Sequence, residues 1–385
     1  MSASLTSFVE SIFSDMSSPT IIVFILFISL ATLIGINFLI PYLYQILRIG
    51  YFAYPSSRCM AKQAQIFRGE KLHSLVDAHD SDEIIHLLEA ARYIEVTQKT
   101  AKALPDAMLD QHIADTYAMM YMIAPSDVKE LFHVLKYRID IMNIKRYFIQ
   151  LQNDTSSFSL IHKGNLDHIT SEMYENIDSE ISSKFMNTPF YPIVDLFTKK
   201  PYDILRIEHE LNQVLFSKLW KQTHKIAPED ARAIKRYVGV ESEIHNLLLV
   251  IRKIIDNSPF EDIKEYIIPF GYDIAPWRIE SMLESATLEE ITTELHSTRY
   301  GPYVQEALNE YRKTNQIHYF ELYLMKLYEK TAHEISTTFH LSIGPLLGYL
   351  MLKEVEIKNI RTIMTAKDLL LSEDEIYTYL ITPMS

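Results

Sequence analysis

The chain has 385 residues, with 50 acidic against 37 basic side chains, a formal net charge of -13, one cysteine and nine glycines. An acidic balance with no basic tail repels a phosphate backbone, which excludes nucleic acid as a principal partner. Ordinary usage puts glycine near ~7 %, so nine leave few tight turns or phosphate-cradling loops and make long helices the default; one cysteine excludes an internal disulfide and indicates a reducing compartment for the folded part.

From the amino terminus, no charged side chain occurs between Asp15 and Arg48, and Ile21 to Ile40 reads IIVFILFISLATLIGINFLI. About 20 apolar residues cross a hydrocarbon core as a helix. The pattern predicts a short external segment over 1–20 and a transmembrane helix with its exit over 21–47. Ser29, Thr32 and Asn37 inside it can hydrogen-bond back to the helix or to a neighbouring one. A cleaved signal peptide wants basic residues before the apolar run and small residues after it, whereas this run is flanked by Glu10 and Asp15, then Pro41 and Tyr42. Arg48, Arg58, Lys62, Arg68 and Lys71 follow the span against a single acid, Glu70, which directs the remaining chain to the cytoplasmic side. Tyr42, Tyr44, Tyr51, Phe52 and Tyr54 crowd the exit, as aromatic side chains do at a headgroup layer. The expected location is the cell membrane, with lipid contact through Ile21 to Ile40.

The rest of the chain repeats itself. Ile123-Ala-Pro125-Ser-Asp127 returns as Ile226-Ala-Pro228-Glu-Asp230, 103 residues later. At the same offset Asp140-Ile-Met-Asn143 falls on Glu243-Ile-His-Asn246, and Glu356-Ile-Lys-Asn359 follows after a further 113. Pro125, Pro228 and, in a shifted register, Pro345 mark helix starts, where proline loses no intrahelical hydrogen bond. Carboxylate and Asn three apart share one helix face, with the intervening Ile turned to another packing surface.

A second element recurs at an offset of 207: Ser74 through Arg92-Tyr93 matches Ser281 through Arg299-Tyr300, with Asp80 to Asp82 and Thr287 to Glu289 as caps and acidic first turns. A blurred middle equivalent lies around Ile193 to Glu210. No stretch alternates as a strand with a glycine turn behind it. The expected fold is all-α, three repeated helical-bundle units after one transmembrane helix, with repeats over 48–155, 156–258 and 259–385.

Catalytic signatures are scarce. The chain has no GxxxxGK[ST], GxGxxG, HExxH, GxSxG or CxxC, so no nucleotide is expected to bind by those routes and no cofactor is expected. Cys59, with Arg58 and Lys62 nearby, reads as an ordinary free cysteine more readily than as a reactive thiolate. Three Glu-x-x-His pairs, Glu70-His73, Glu83-His86 and Glu130-His133, have the spacing of di-iron bundle ligands, but charged turns and solvent-type neighbours speak against a metal site. The repeated Asp140, Asn143, Glu243, Asn246, Glu356 and Asn359 have two readings. They fix helix crossings by bonding backbone or basic side chains, or they line a shared surface where a partner docks.

Certain residues also carry a family resemblance: Tyr54-Pro-Ser-Ser-Arg58, Arg92-Tyr93 and its copy Arg299-Tyr300, Asp140-Ile-Met-Asn143, and Tyr349-Leu-Met-Leu-Lys353-Glu354-Val-Glu356-Ile-Lys-Asn359-Ile-Arg361. From about residue 50 onward the chain resembles the C subunit of archaeal V/A-type ATP synthases, of the V-ATPase C/d family. The resemblance implies a funnel of three similar helical domains that acts as a non-catalytic rotor component, a socket linking the central stalk to the membrane c-ring so that proton or sodium flow is coupled to ATP synthesis. The amino-terminal span is absent from many members, and the usual Asn-Ala before the first Arg is here Ser56-Ser57. A membrane-anchored helical scaffold or adaptor is the alternative.

Overall fold

The computed structural model describes residues 18–93, 105–153, 160–175, 181–197, 203–256 and 263–384. These separate into two compact units, Met1–Ala53 and Tyr54–Ser385. All regular structure among the described residues is helical.

The first helix, α1 (Ser18–Gln63), carries the apolar run. Ile22–Ile40 is long and apolar enough to cross a membrane, and all of its side chains are exposed. Its polar residues are satisfied within the helix: Thr32 Oγ1 donates to the Ile28 carbonyl at 2.7 Å and Asn37 Nδ2 to the Leu33 carbonyl at 2.9 Å. Both bonds reach back one turn, so neither group needs a second helix. The short segment expected over 1–20 lies, apart from residues 18–20, outside the described residues.

The second unit continues with α2 (Glu70–Val76), α3 (Ser81–Ala90), α4 (Pro105–Ile123) and α5 (Ser126–Asn153). Then come α6 (Asp167–Glu175), α7 (Ile181–Lys184), a 3-10 turn over Tyr191–Phe197, α8 (Ile204–Gln222) and α9 (Pro228–Asp256). The last six are α10 (Pro276–Met282), α11 (Leu288–Leu295), α12 (Gly301–Thr314), α13 (His318–Thr338), α14 (Gly344–Asp368) and α15 (Glu373–Thr378).

The expected starts are where the local chemistry puts them. Pro125 immediately precedes α5, Pro228 opens α9 and Pro345 is the second residue of α14. Asp80 caps α3 by accepting from the Glu83 amide, and Thr287 caps α11 by accepting from the Glu290 amide, 207 residues later. In both turns the Glu side chain reaches back, to the His79 amide at 2.6 Å and to the Ala286 amide at 2.9 Å, which satisfies a further orphan donor.

Helix α14 is the centre of this unit. It is buried over most of its surface, with Lys358 and Thr365 left exposed along one stripe, and packs against α13, α4, α3, α2, α9 and α15. A Cβ at Gly348 would stand 2.7 Å from the Ala332 carbonyl oxygen, so the α13–α14 approach requires glycine there. The other two long helices sit beside it in a similar way, α5 against α4 and α8, α9 against α8 and α13.

Candidate functional site

The six repeated polar residues are all buried, none more than 4 % exposed. Each Asn makes the same reciprocal pair. Asn143 Nδ2 donates to the Ile161 carbonyl at 2.7 Å and its Oδ1 accepts the Ile161 amide at 3.0 Å. Asn246 does the same with Ile268, at 2.9 Å both ways, and Asn359 with Ile381, at 2.8 Å both ways. The amide side chain imitates a neighbouring backbone and satisfies one N–H and one C=O that burial would otherwise orphan.

The carboxylates collect the adjacent amides. Asp140 accepts from the Asn165 and Leu166 amides, both at 2.9 Å. Glu243 Oε1 accepts from the Tyr272, Asp273 and Ile274 amides at 2.6 Å each, while its Oε2 accepts from the Tyr300 hydroxyl at 2.5 Å. Glu356 Oε1 accepts from the Phe67 amide at 2.6 Å, and its Oε2 faces the Tyr93 hydroxyl at 2.9 Å and Lys353 Nζ at 2.6 Å. Burial pushes the Asp140 carboxyl up to about 7 against the pull of the Leu166 and Asn165 amides. Burial likewise raises Glu243, against the Ile274 amide and the Tyr300 hydroxyl.

Two of these clasps close on a loop that follows their own helix, within 161–166 for α5 and 268–274 for α9. The third is closed from opposite extremes of the unit: Ile381 serves Asn359, and Phe67 and Tyr93 serve Glu356. The 207-residue repeat therefore has a purpose, since its two tyrosines, Tyr93 and Tyr300, deliver the same hydroxyl to the same carboxylate position. The middle counterpart lies in Thr188-Pro-Phe190, ahead of the stretch Ile193 to Glu210 expected to hold it. Thr188 Oγ1 donates to the Phe185 carbonyl and accepts the Phe190 amide, as Thr298 does with Leu295 and Tyr300. Phe190 has no hydroxyl to offer, and Asp140 is one methylene shorter than its counterparts. The spacing Thr-x-aromatic-x-Pro, at 188–192 and 298–302, is the sequence signal that identifies it.

A second, half-buried network is built from equivalent positions of the three long helices. Arg138, Glu241 and Glu354 each precede a repeated carboxylate by two residues. Arg138 donates to Glu241 and, at 2.9 Å, to the Tyr237 hydroxyl. Glu354 accepts from the hydroxyls of Tyr117 and Tyr328, the latter at 2.6 Å. Both groups line one cavity of about 330 Å3, and Ile141, Ile244 and Ile357, the middle residues of the three motifs, line it as well. The expectation that this Ile turns to a packing surface of its own is met in all three. Asp110, which is buried, lines the same cavity with Arg361 and also pairs with Arg146, and Arg361 holds Asp106 at 2.9 Å as well.

The other singled-out residues are dispersed. Tyr54 is exposed and its hydroxyl accepts from Arg58 at 2.8 Å. Arg92 has φ 54°, the left-handed turn residue after α3, and Arg299 instead bridges Asp273 at 3.2 Å and Glu334 at 2.6 Å. Cys59 is buried, and burial pushes its thiol up to about 12. His73 lies 2.8 Å from the Tyr377 hydroxyl, His86 pairs with Glu89, and His133 packs between Tyr121 and Tyr137. Among the described residues no three His, Cys, Asp or Glu converge as metal ligands.

A family model described as ATP synthase (C/AC39) subunit matches residues 55–379. The chain is 26 % identical to the C subunit of the A-type ATP synthase of Methanocaldococcus jannaschii over 346 residues, 86 % of each chain. It is 28 % identical to that of Methanobrevibacter smithii over 331 residues, 84 % of this chain and 85 % of the relative. With that of Methanosphaera stadtmanae the identity is 25 % over 376 residues, 95 % and 96 % of the two chains.

Proposed function

Because the chain belongs to the ATP synthase (C/AC39) subunit family, as a structural rather than a catalytic member of the complex, we propose that it is the socket of the central rotor, joining the stalk to the membrane c-ring so that proton or sodium flow drives ATP synthesis. The supporting observation is the set of three clasps with the Arg138–Glu241 and Glu354 contacts between the long helices. A part that transmits torque must resist shear between its helices. Buried polar contacts resist it because displacing one leaves unsatisfied groups, at about 1–3 kcal/mol each.

On this reading the chain divides near residues 155 and 258, and the first repeat lends Phe67 and Tyr93 to the third repeat. Ile22–Ile40 crosses the bilayer with the second unit in the cytoplasm and anchors the socket on the ring, within its lumen. The Asn and carboxylate motif works inside the fold, and partners meet other surfaces.

Affinity purification of the tagged full chain from gently solubilised membranes tests this. One copy of this chain per complex, with stalk and ring proteins, is expected; recovery without them overturns the socket and leaves a membrane-anchored scaffold. Removal of residues 1–47 is expected to weaken retention on the ring, and unchanged retention in detergent sinks the anchor.

A further inference from the structure

Between α3, α4, α14 and the part of α1 beyond Tyr54 lies a cavity of about 280 Å3 whose walls are mostly polar. Four cations reach it: Arg58, Lys62, Arg92 and Lys353. Arg58 and Lys62 are four apart on one helix face, a spacing at which like charges repel. Arg92 adds a third charge from a left-handed turn that a glycine would fill with less strain. Among the described residues none of these three has a carboxylate within 4.0 Å, whereas Arg138, Arg146, Arg236 and Arg361 each hold one.

One carboxylate, Asp115, lines the cavity and Glu356 stands behind Lys353, and both are already engaged. Lys163 Nζ lies 2.6 Å from Asp115, and Lys353 Nζ lies 2.6 Å from Glu356. Their charge is largely cancelled, and the cavity keeps an excess of positive charge inside a protein of net charge -13. A neutral imidazole, that of His112, forms part of the same wall. His112 stacks on Tyr93 with ring centroids 4.0 Å apart, and its buried Nε2 has no partner in the protein. Burial, aided by Lys353, pushes this imidazole down to about 3, so at neutral pH it holds one N–H.

We propose that this cavity binds a phosphate-class anion, held by Arg58, Lys62 and Arg92. Guanidinium and ammonium groups suit a divalent oxyanion, the guanidinium by paired N–H donation and the ammonium as a point charge. Filling the cavity relieves the repulsion among Arg58, Lys62 and Arg92, none of which holds a carboxylate of its own among the described residues.

Free inorganic phosphate and the headgroup of an anionic phospholipid present the same chemistry, and a two-arm experiment separates them. The full chain is placed in phosphatidylcholine nanodiscs and titrated with inorganic phosphate at constant ionic strength, following heat and melting temperature. Saturable binding with a rise in melting temperature is expected, at least ~tenfold weaker in Lys62→Gln/Arg92→Gln, equivalent to about 1.4 kcal/mol, and unchanged in Arg312→Gln. In the second arm the nanodiscs contain phosphatidic acid. Phosphate affinity equal to the first arm assigns the site to the free anion, and affinity lost in the wild type but not further in the double variant assigns it to the headgroup. Absence of a saturable effect from either anion, or a double variant that binds like the wild type, overturns the proposal.

Discussion

Arg138 on α5 donates to Glu241 on α9, and the two occupy the same position of the repeat, 103 residues apart. One position thus carries opposite charges in two copies, and the copies attract where like residues would repel. Glu354, the third occupant, is given two tyrosine hydroxyls instead of a cation. Replacing Arg138 by Met strands the Glu241 carboxylate inside the unit, where burial already raises its proton affinity. A loss of about 3–5 kcal/mol is expected in chemical denaturation. Adding Glu241→Gln should recover part of it, because the stranded charge is then removed; strictly additive losses would show that the pair is not coupled.

The Asn clasps give a graded test. Asn143→Ala and Asn246→Ala each remove two hydrogen bonds and leave a buried amide and carbonyl unsatisfied, so a loss of about 2–4 kcal/mol is expected for each. Melting curves are the measurement. If partner affinity falls while melting is unchanged, the motif belongs to a docking surface.

Tyr300 and Tyr93 should not respond equally. Glu243 Oε2 depends on the Tyr300 hydroxyl, whereas Glu356 Oε2 keeps Lys353 when Tyr93 is lost. Tyr300→Phe is therefore expected to cost about 1–3 kcal/mol, and Tyr93→Phe clearly less. Urea denaturation of the two variants side by side decides it, and equal losses would contradict the asymmetry.

Glu329 on α13 carries a sign that pH can read. Burial, against Arg68 and Lys326, pushes its carboxyl up to about 7, and its Oε2 has no hydrogen-bond partner in the protein. A carboxyl raised on folding contributes stability that is complete below its unfolded value near ~4.5 and is lost as pH rises through about 7. The stability of the wild type relative to Glu329→Gln is expected to fall by about 1–3 kcal/mol across that window, measured as the difference between two melting-versus-pH curves. Parallel curves would mean that Glu329 is ionised throughout.

Cys59 offers a chemical check on packing. It is fully buried with Sγ 3.8 Å from Met120 Sδ, and its thiol is held up near about 12. At pH 8 a thiol-specific reagent should leave the native protein unmodified and react at once in denaturant. Rapid labelling of the native protein would show that α1 and α4 part in solution.

Local chemistry made much of this legible in advance. Proline, Asp80 and Thr287 mark helix starts through contacts within one turn, and such contacts survive in any tertiary setting. The offsets of 103 and 207 were visible because equivalent positions face equivalent surroundings. Even the Thr188 element could have been read, had aromatic identity been relaxed from Tyr to Phe.

What spacing alone could not show is which partner each copy meets. Asn143 and Glu356 stand in the same motif, yet one bonds a loop 18 residues away and the other accepts from Tyr93, 263 residues away. Composition and periodicity determined that the chain is helical, repeated and fitted with one apolar span, because backbone propensity and amphipathic period act over a few residues. The closure of the third clasp by Phe67 and Ile381, the meeting of Arg138 with Glu241, and the gathering of cations around His112 were decided by the tertiary structure. Each joins side chains from distant segments, and only the packing of whole helices brings them within hydrogen-bonding or Coulombic reach.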